Sequence, residues 1–491
     1  MYTESNRIAQ PIIARSSLLL ALAMLIQTVP AIANQDSSVN PDYGSIFGRT
    51  VINTIPGLVG ETPTLSAMAE SASGRTWLFG GVASQAQNNK LLIARLNSAS
   101  GLLDVGFGGG TGQIVMTLPA GVTFFNVSRA IVQADGKPIV AGLWGQNGDV
   151  RGFVCRLNVA GNLDAGYGNG GCRVLRSFIY ANERCGVDNI AADPSDVSLI
   201  VAGSCTNENQ TNLRRPFLTR LTSVGNLSVE FGAGAGVTTP TISDGTLRFF
   251  SAVAVQPGGR FVGVGNTLRG TGDYDISAMQ FSNDGTLDAS FGLGGVVIIA
   301  PNIAGNNDDF AGDVAVRPNG RILLLGLSEG VDENGVILLQ QLTAAGANDV
   351  GFGSNGRFLA PATLDRTFAL EGTTALSIAR PRLAVDDLGR AVVVSRNGLA
   401  FNDIPTNVRV YRFTALGGTD SNFGDSPRGH VDITNEVALA GSGGITESPS
   451  GLAVNSNRIL LGISSRRTNS QSFNMLTLTL EAGSLFANGF E

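Results

Sequence analysis

Histidine is nearly missing, with His430 the one example in 491 residues. A nucleophile activated by histidine is therefore confined to one place at most, and a multi-histidine zinc site is excluded. Lysine is almost as scarce: only Lys90 and Lys137 stand among 33 basic residues, and the net charge is -6. That balance offers no polybasic surface to nucleic acid or to an anionic membrane. Charged residues are 15% of the chain against 43% hydrophobic, a composition that folds instead of remaining disordered. Beyond the N-terminal segment no apolar run approaches the length of roughly eighteen residues that a spanning helix needs. Helical periodicity with caps is also wanting, which points to β-structure.

What is present begins with an address. Arg7 and Arg15 precede an apolar run from Leu18 to Ile26 that closes on Ala31-Ile32-Ala33. Basic start, apolar centre and small-residue end are the marks of a secretory signal, expected over residues 1–33, with a single repeat domain over 34–491. The apolar run is short for a membrane anchor. Export predicts periplasmic, cell-surface or secreted location, and it makes the four cysteines legible as two disulfides.

The repeat decides the fold. Six segments align without gaps: GLLDVGFG from Gly101, GNLDAGYG from Gly161, GNLSVEFG from Gly225, GTLDASFG from Gly285, GANDVGFG from Gly346 and GGTDSNFG from Gly417. A degenerate seventh is expected to end at Phe47-Gly48. A second landmark keeps the same period of about sixty residues, namely apolar runs that end in Gly80, Gly142, Gly203, Gly265, Gly326 and Gly462, with Ser395 in the remaining copy. Turns such as Gly136-Lys137, Gly259-Arg260 and Gly320-Arg321 precede these runs and have hairpin chemistry. Each unit then reads as four short strands, a to d.

Four-stranded units repeated seven times bury both faces of every sheet when they are stacked radially. The expected fold is an all-β, seven-bladed β-propeller of four-stranded antiparallel blades. A parallel β-helix is the competing arrangement, but its coils are shorter and its strands do not form local hairpins. The C-terminal unit supplies strands a, b and c and then stops, while the N-terminal region begins with an unpartnered d strand, GRTVIN. An N-terminal strand is therefore expected to complete the last blade. Under this phase Cys155 falls in strand c and Cys172 at the start of strand d of one blade, while in the next Cys185 precedes strand a and Cys205 follows strand b, symmetric about the a–b turn. Neighbouring antiparallel strands bring Cβ atoms within disulfide reach, so the predicted pairs are Cys155 with Cys172 and Cys185 with Cys205.

The pattern Gly-x-Leu-Asp-x-x-Phe-Gly, with its upstream apolar run ending in Gly, resembles the bacterial delta-60 repeat over roughly residues 40–491. The resemblance implies a β-propeller-like domain on an exported or surface protein, and it implies no catalytic residue. The C-terminal LFANGFE resembles short sorting ends of exported proteins, or else an eighth degenerate copy of the aromatic-Gly turn.

Candidate sites are weighed against the needs of the scaffold. Asp104, Asp164, Asp288, Asp349 and Asp420 recur at one repeat position, which favours turn capping over a ring of calcium ligands. The recurrent aromatics are expected to plug gaps between blades. Arg156, Arg220 and Arg412, closing strand c, read as scaffold arginines, and His430 as structural. Residues outside the repeat are better functional candidates: Asp308, Asp309 and Asp313, Asp273 and Asp275, Asp332 and Glu333, and the polar b–c loops ASQAQNNK, CTNENQTNLRRP and SSRRTNSQSF. These loops could hydrogen-bond a glycan or a protein. The expected function is a non-enzymatic binding or scaffold module, acting as a monomer without cofactor or metal on an unknown glycan or protein ligand. The alternative is a carbohydrate-active hydrolase or lyase using loop carboxylates.

Overall fold

A computed structural model describes residues 43–44, 49–82, 90–118, 121–146, 149–175, 183–207, 210–243, 245–301, 308–329, 335–361, 381–397, 407–424, 429–433, 445–455, 458–467 and 473–481. The expected signal at 1–33 and the LFANGFE end lie outside these residues. The described strands form a β-propeller arrangement of four-stranded antiparallel sheets, seven in number.

The innermost strands are Pro63–Ser71, Val122–Val132, Glu183–Ala192, Thr246–Val255, Asp309–Val316, Arg382–Val385 and Ile445–Val454. Each lies against the inner strand of the next sheet, and the last lies against the first. Six of the sheets are built from consecutive strands. In the seventh, Arg49–Ile52 is the outer strand and runs antiparallel to Phe473–Glu481, with Arg49 opposite Leu478 and Ile52 opposite Met475.

Hydrophobic clusters fill the spaces between neighbouring sheets. One joins Trp77, Phe79 and Ile93 of the first sheet to Val140 and Phe153 of the second. Another joins Leu325 and Leu339 of the fifth to Val393 and Phe413 of the sixth. Strand b is buried along nearly its whole length, because neighbours cover both of its faces. This explains its continuous apolar runs.

Two details of backbone geometry account for the landmark glycines. Six inner strands carry a β-bulge at the same level, at Ser66, Ser128, Asp188, Ser251, Gly312 and Ser450. A bulge sharpens the twist and re-aims the residues beyond it. It also drives the carbonyl oxygens of Asn126, Gly186 and Phe249 into the space that a Cβ would occupy at Gly142, Gly203 and Gly265. The strand-b glycine is thus the steric counterpart of the inner bulge in these sheets.

The second detail is a clasp between sheets. The first glycine of each GxLDxxFG motif has positive φ and lies flat on the marker aromatic of the preceding sheet: Gly161 on Phe107, Gly225 on Tyr167, Gly285 on Phe231, Gly346 on Phe291 and Gly417 on Phe352. Gly101 lies on Tyr43 in the same way, and the Gly44 N–H donates to Ser100 O at 2.7 Å. Gly168 to Val224 O (2.8 Å) and Gly353 to Leu416 O (2.7 Å) are its counterparts. Among the described residues Tyr43-Gly44 therefore does the work expected of Phe47-Gly48, which lies outside them. Burial pushes the Tyr43 phenol up to about 12.

Candidate functional site

The recurrent carboxylates serve the scaffold. Asp104 Oδ1 accepts the Gly106 N–H (3.0 Å), and its Oδ2 meets Arg95 Nε (2.9 Å) and Arg75 Nε (2.8 Å). Asp164 repeats the arrangement with Gly166 (3.2 Å), Arg156 (3.0 Å) and Lys137 (3.0 Å). Asp420 takes the Asn422 N–H (3.1 Å) and Arg412 Nε (2.7 Å). Asp288 and Asp349 cap Ser290 and Gly351 in the same way. Where Ser228 replaces the Asp, Arg220 turns instead to Asp193 and Asp196, both at 2.8 Å.

The strand-c arginines stack on the marker rings, Arg95 over Phe107 at 4.5 Å, Arg156 over Tyr167 at 4.6 Å and Arg412 over Phe423 at 4.5 Å. Arg95 and Arg156 also donate to the next sheet, at Val159 O (2.7 Å) and Ser223 O (2.6 Å). One guanidinium thus joins a turn, a ring and a neighbouring sheet. Lys137 and the Gly166 N–H hold the Asp164 carboxyl below its ordinary value. At Asp104 burial alone would raise it, but the Gly106 N–H and two guanidiniums outweigh that and lower it.

The two disulfides occupy neighbouring sheets. Cys155 bonds Cys172 across strands c and d, and Cys185 bonds Cys205 across strands a and b, each pair directly opposite in register. Both strands of the second pair extend past their cysteines, so these residues lie within the strands and not beside them. Glu183 stands close to Cys185 and Cys205, but disulfide sulfurs are not thiolate ligands, and Glu183 pairs with Arg215.

Among the described residues the acidic candidates are engaged in different ways. Asp309 is fully buried and Asp275 nearly so, with Asp275 beside Arg269 at 3.5 Å. Asp308 Oδ1 accepts the Tyr274 N–H at 2.8 Å, and Asp273 pairs with Thr271. Asp332 and Glu333 lie outside the described residues, as do residues 83–89 of ASQAQNNK and 468–472 of SSRRTNSQSF. Arg215 of the CTNENQTNLRRP segment is held by Glu183. His430 opens an outer strand with its ring 5.7 Å from Tyr411.

Asp313 faces a cavity. At the centre of the propeller a cavity of about 320 Å³ is bounded by inner strands of the first, second, fifth, sixth and seventh sheets. Just beyond the bulges, one level of these strands carries Ala67, Arg129, Asn189, Ala252, Asp313, Arg382 and Gly451. Arg129 Nη2 reaches both oxygens of Asp313 at 3.4 Å from across the centre. Arg382 Nη2 donates to Ser128 O at 3.3 Å. The Asp313 carboxylate also accepts the N–H groups of Val314 (3.0 Å) and Leu383 (3.1 Å). Arg129 and Arg382 were not singled out in the sequence; the signal available was that they, with Asp313, are charged where the other four copies carry Ala67, Asn189, Ala252 and Gly451. A smaller depression of about 260 Å³ lies between the first two sheets, and its Arg75 and Arg95 are already committed to Asp104.

A family described as a β-propeller domain of unknown function (DUF5122) matches residues 133–167, which run from an a–b turn through strands b and c to the marker Tyr167. No curated protein matches the sequence. Among solved structures, a puromycin-hydrolysing peptidase of Mycobacterium tuberculosis is 12% identical with a TM-score of 0.42, over 88% of this chain and 54% of the peptidase. The chain thus spans about half the length of that enzyme. A protein of unknown function from Dyadobacter fermentans is 11% identical with a TM-score of 0.40, over 89% and 100%. Polysaccharide lyase Uly1 is 10% identical with a TM-score of 0.43, over 91% and 98%. Likeness at this level carries no information on activity or substrate.

Proposed function

We propose that this chain is an exported, non-enzymatic propeller of the delta-60 repeat type that acts as a binding or scaffold module at the cell surface or outside the cell. Its seven sheets are read as seven blades of one ring, closed where Arg49–Ile52 joins the C-terminal strands. The observation that carries the functional reading is the division of labour among charged groups. The recurrent Asp residues and their strand-c arginines are spent on turns and sheet contacts, whereas charged side chains that break the repeat gather at one central cavity. The leader at 1–33 and the two disulfides support export to an oxidising compartment.

Glycan-array and surface-protein binding of the mature chain, run beside a turnover screen on polysaccharides, tests this. Binding without turnover is expected. Turnover abolished by Asp308→Asn or Asp273→Asn would refute it. N-terminal sequencing of exported protein is expected to begin at Asn34, and light scattering to give the mass of a monomer.

A further inference from the structure

We infer that each seam between neighbouring sheets is latched by one long donor side chain whose backbone acceptor is fixed and whose place in the chain is exchangeable, Arg317 being the relocated latch of the fifth sheet. The inference goes beyond the binding-module reading and does not depend on it: it concerns what holds the sheets together at the end where the a–b and c–d turns emerge.

The acceptor is constant. Arg95, Arg156, Arg220, Gln280, Gln341 and Arg412 occupy one place in strand c, opposite Trp77, Ile139, Ile200, Val262, Leu323 and Val392 of strand b. In each of these six sheets the carbonyl three residues further on, in the c–d turn, accepts a side-chain donor from the neighbouring sheet. Ser98 accepts from Arg458, Val159 from Arg95 (2.7 Å) and Ser223 from Arg156 (2.6 Å). Asn283 accepts from Arg220 (3.2 Å), Ala344 from Gln280 (3.2 Å) and Ala415 from Arg317 (3.1 Å). Every such turn presents a carbonyl to the neighbouring sheet, and a buried carbonyl left without a donor costs free energy.

The place of the donor varies. Four of these seams take it from strand c. In the seventh sheet the strand-c place holds Leu480, which cannot donate, and Arg458 at the start of strand b reaches across instead. In the fifth it holds Gln341, whose Nε2 stops at its own turn on Asp349 Oδ2 (2.6 Å), and Arg317 of the a–b turn crosses the seam. The second and fifth sheets thus make the same contacts with two side chains exchanged. Gln133 and Arg317 share one position, since the N–H of each donates to the carbonyl of the residue after the turn glycine, Lys137 or Arg321. Gln133 Nε2 donates to Val197 O (3.1 Å) and Arg317 Nη1 to Gly389 O (2.7 Å), both acceptors being positive-φ residues in the next a–b turn. The c–d turn contact falls to Arg156 in one sheet and to Arg317 in the other. Arg317 is buried, with its guanidinium 5.6 Å from the Phe352 ring, the marker ring of its own sheet. The two N–H groups of Nη1 let one side chain serve both carbonyls, which an amide held at Asp349 cannot do.

Exchanging the pair tests this. Arg317→Gln removes the latch between the fifth and sixth sheets, and adding Gln341→Arg rebuilds there the arrangement of the second sheet. The Gly353 amide, which donates to Leu416 O across that seam at 2.7 Å, reports its opening; the Gly168 amide, which donates to Val224 O between the second and third sheets at 2.8 Å, is the internal reference. Hydrogen exchange at Gly353 is expected to quicken roughly tenfold in Arg317→Gln with Gly168 unchanged, as for a local opening, and to return close to the wild-type rate in the double variant. Urea midpoints are expected to follow the same order. Arg317→Gln with Gln280→Arg, which puts the new guanidinium on the wrong seam, should regain nothing at Gly353. Should Arg317→Gln fail to fold, a folded double variant supports the exchange and an unfolded one overturns it. The inference is also overturned if Arg317→Gln leaves Gly353 unchanged, if Gly353 and Gly168 quicken together, or if Gln341→Arg restores no more than Gln280→Arg does.

Discussion

Gly161→Ala probes the clasp that joins one sheet to the next. Gly161 has φ +85°, and a Cβ there would lie 2.7 Å from Phe107 Cζ and 2.8 Å from Ile114 Cδ1. Phe107 cannot retreat, because it is 2% exposed and packs edge-on against Trp77 at 5.3 Å. Left-handed backbone costs a non-glycine residue roughly 1–2 kcal/mol, and overpacking a filled core adds about 1–3 kcal/mol, so a loss of about 2–5 kcal/mol is expected. Gly109→Ala is the control, since Gly109 has φ +66° and no neighbour within 4 Å of a built Cβ; it should cost only the backbone share. In a chain of this length 1 kcal/mol moves Tm by only about 1 °C, so urea midpoints are the better assay. Phe107→Leu removes the ring atoms that collide, and the double variant should recover about 1–2 kcal/mol in a mutant cycle. Equal losses at Gly161 and Gly109, or no coupling to Phe107, would refute the clasp.

Other expectations follow from the same contacts. Replacing Cys155 and Cys172, or Cys185 and Cys205, by serine opens bridges with sequence separations of 17 and 20 and should cost about 3 kcal/mol per pair, read by urea unfolding under non-reducing conditions. Arg412→Ala should cost about 3–5 kcal/mol by stranding Asp420, and Arg412→Gln less, since Gln280 and Gln341 stand at that position in two sister sheets. Hydrogen bonds and neighbouring cations hold the carboxyls of Asp104, Asp164, Asp196, Asp284, Asp288 and Asp349 below their ordinary value. A lowered carboxylate stabilises above its unfolded value and ceases to as pH falls through the folded one, so stability should hold above about pH 4 and decline progressively below it. Asp164→Asn should flatten that acid limb in a pH series of urea midpoints.

Much of the fold was legible because the repeat reports its own geometry. The glycines at 136, 259 and 320 each have φ near +80°, a conformation their hairpin turns require, and the alternation of turn and apolar run gave the strand order. The cysteine pairs followed from strand phase, as antiparallel neighbours put residue opposite residue. Phe47-Gly48 lies outside the described residues, and the ring that lies on Gly101 is that of Tyr43, a contact between distant segments that the repeat period does not report. The strand-b glycine was visible as a landmark without its cause, since the bulge opposite it belongs to another strand.

The acidic clusters show the limit more sharply. Asp308, Asp309 and Asp313 are neighbours in the chain, yet one caps the backbone of an adjacent sheet, one is buried and one faces the centre. Period, polarity and turn chemistry are local properties, so the sequence by itself determined the all-β class, the four-strand unit and the disulfide partners. The meeting of Arg129 with Asp313, 184 residues apart, and of Arg382 with Ser128, 254 apart, depends on how the sheets are turned about a common centre. Only the tertiary structure decides that, because inter-sheet packing fixes the angle at which each inner strand presents its side chains.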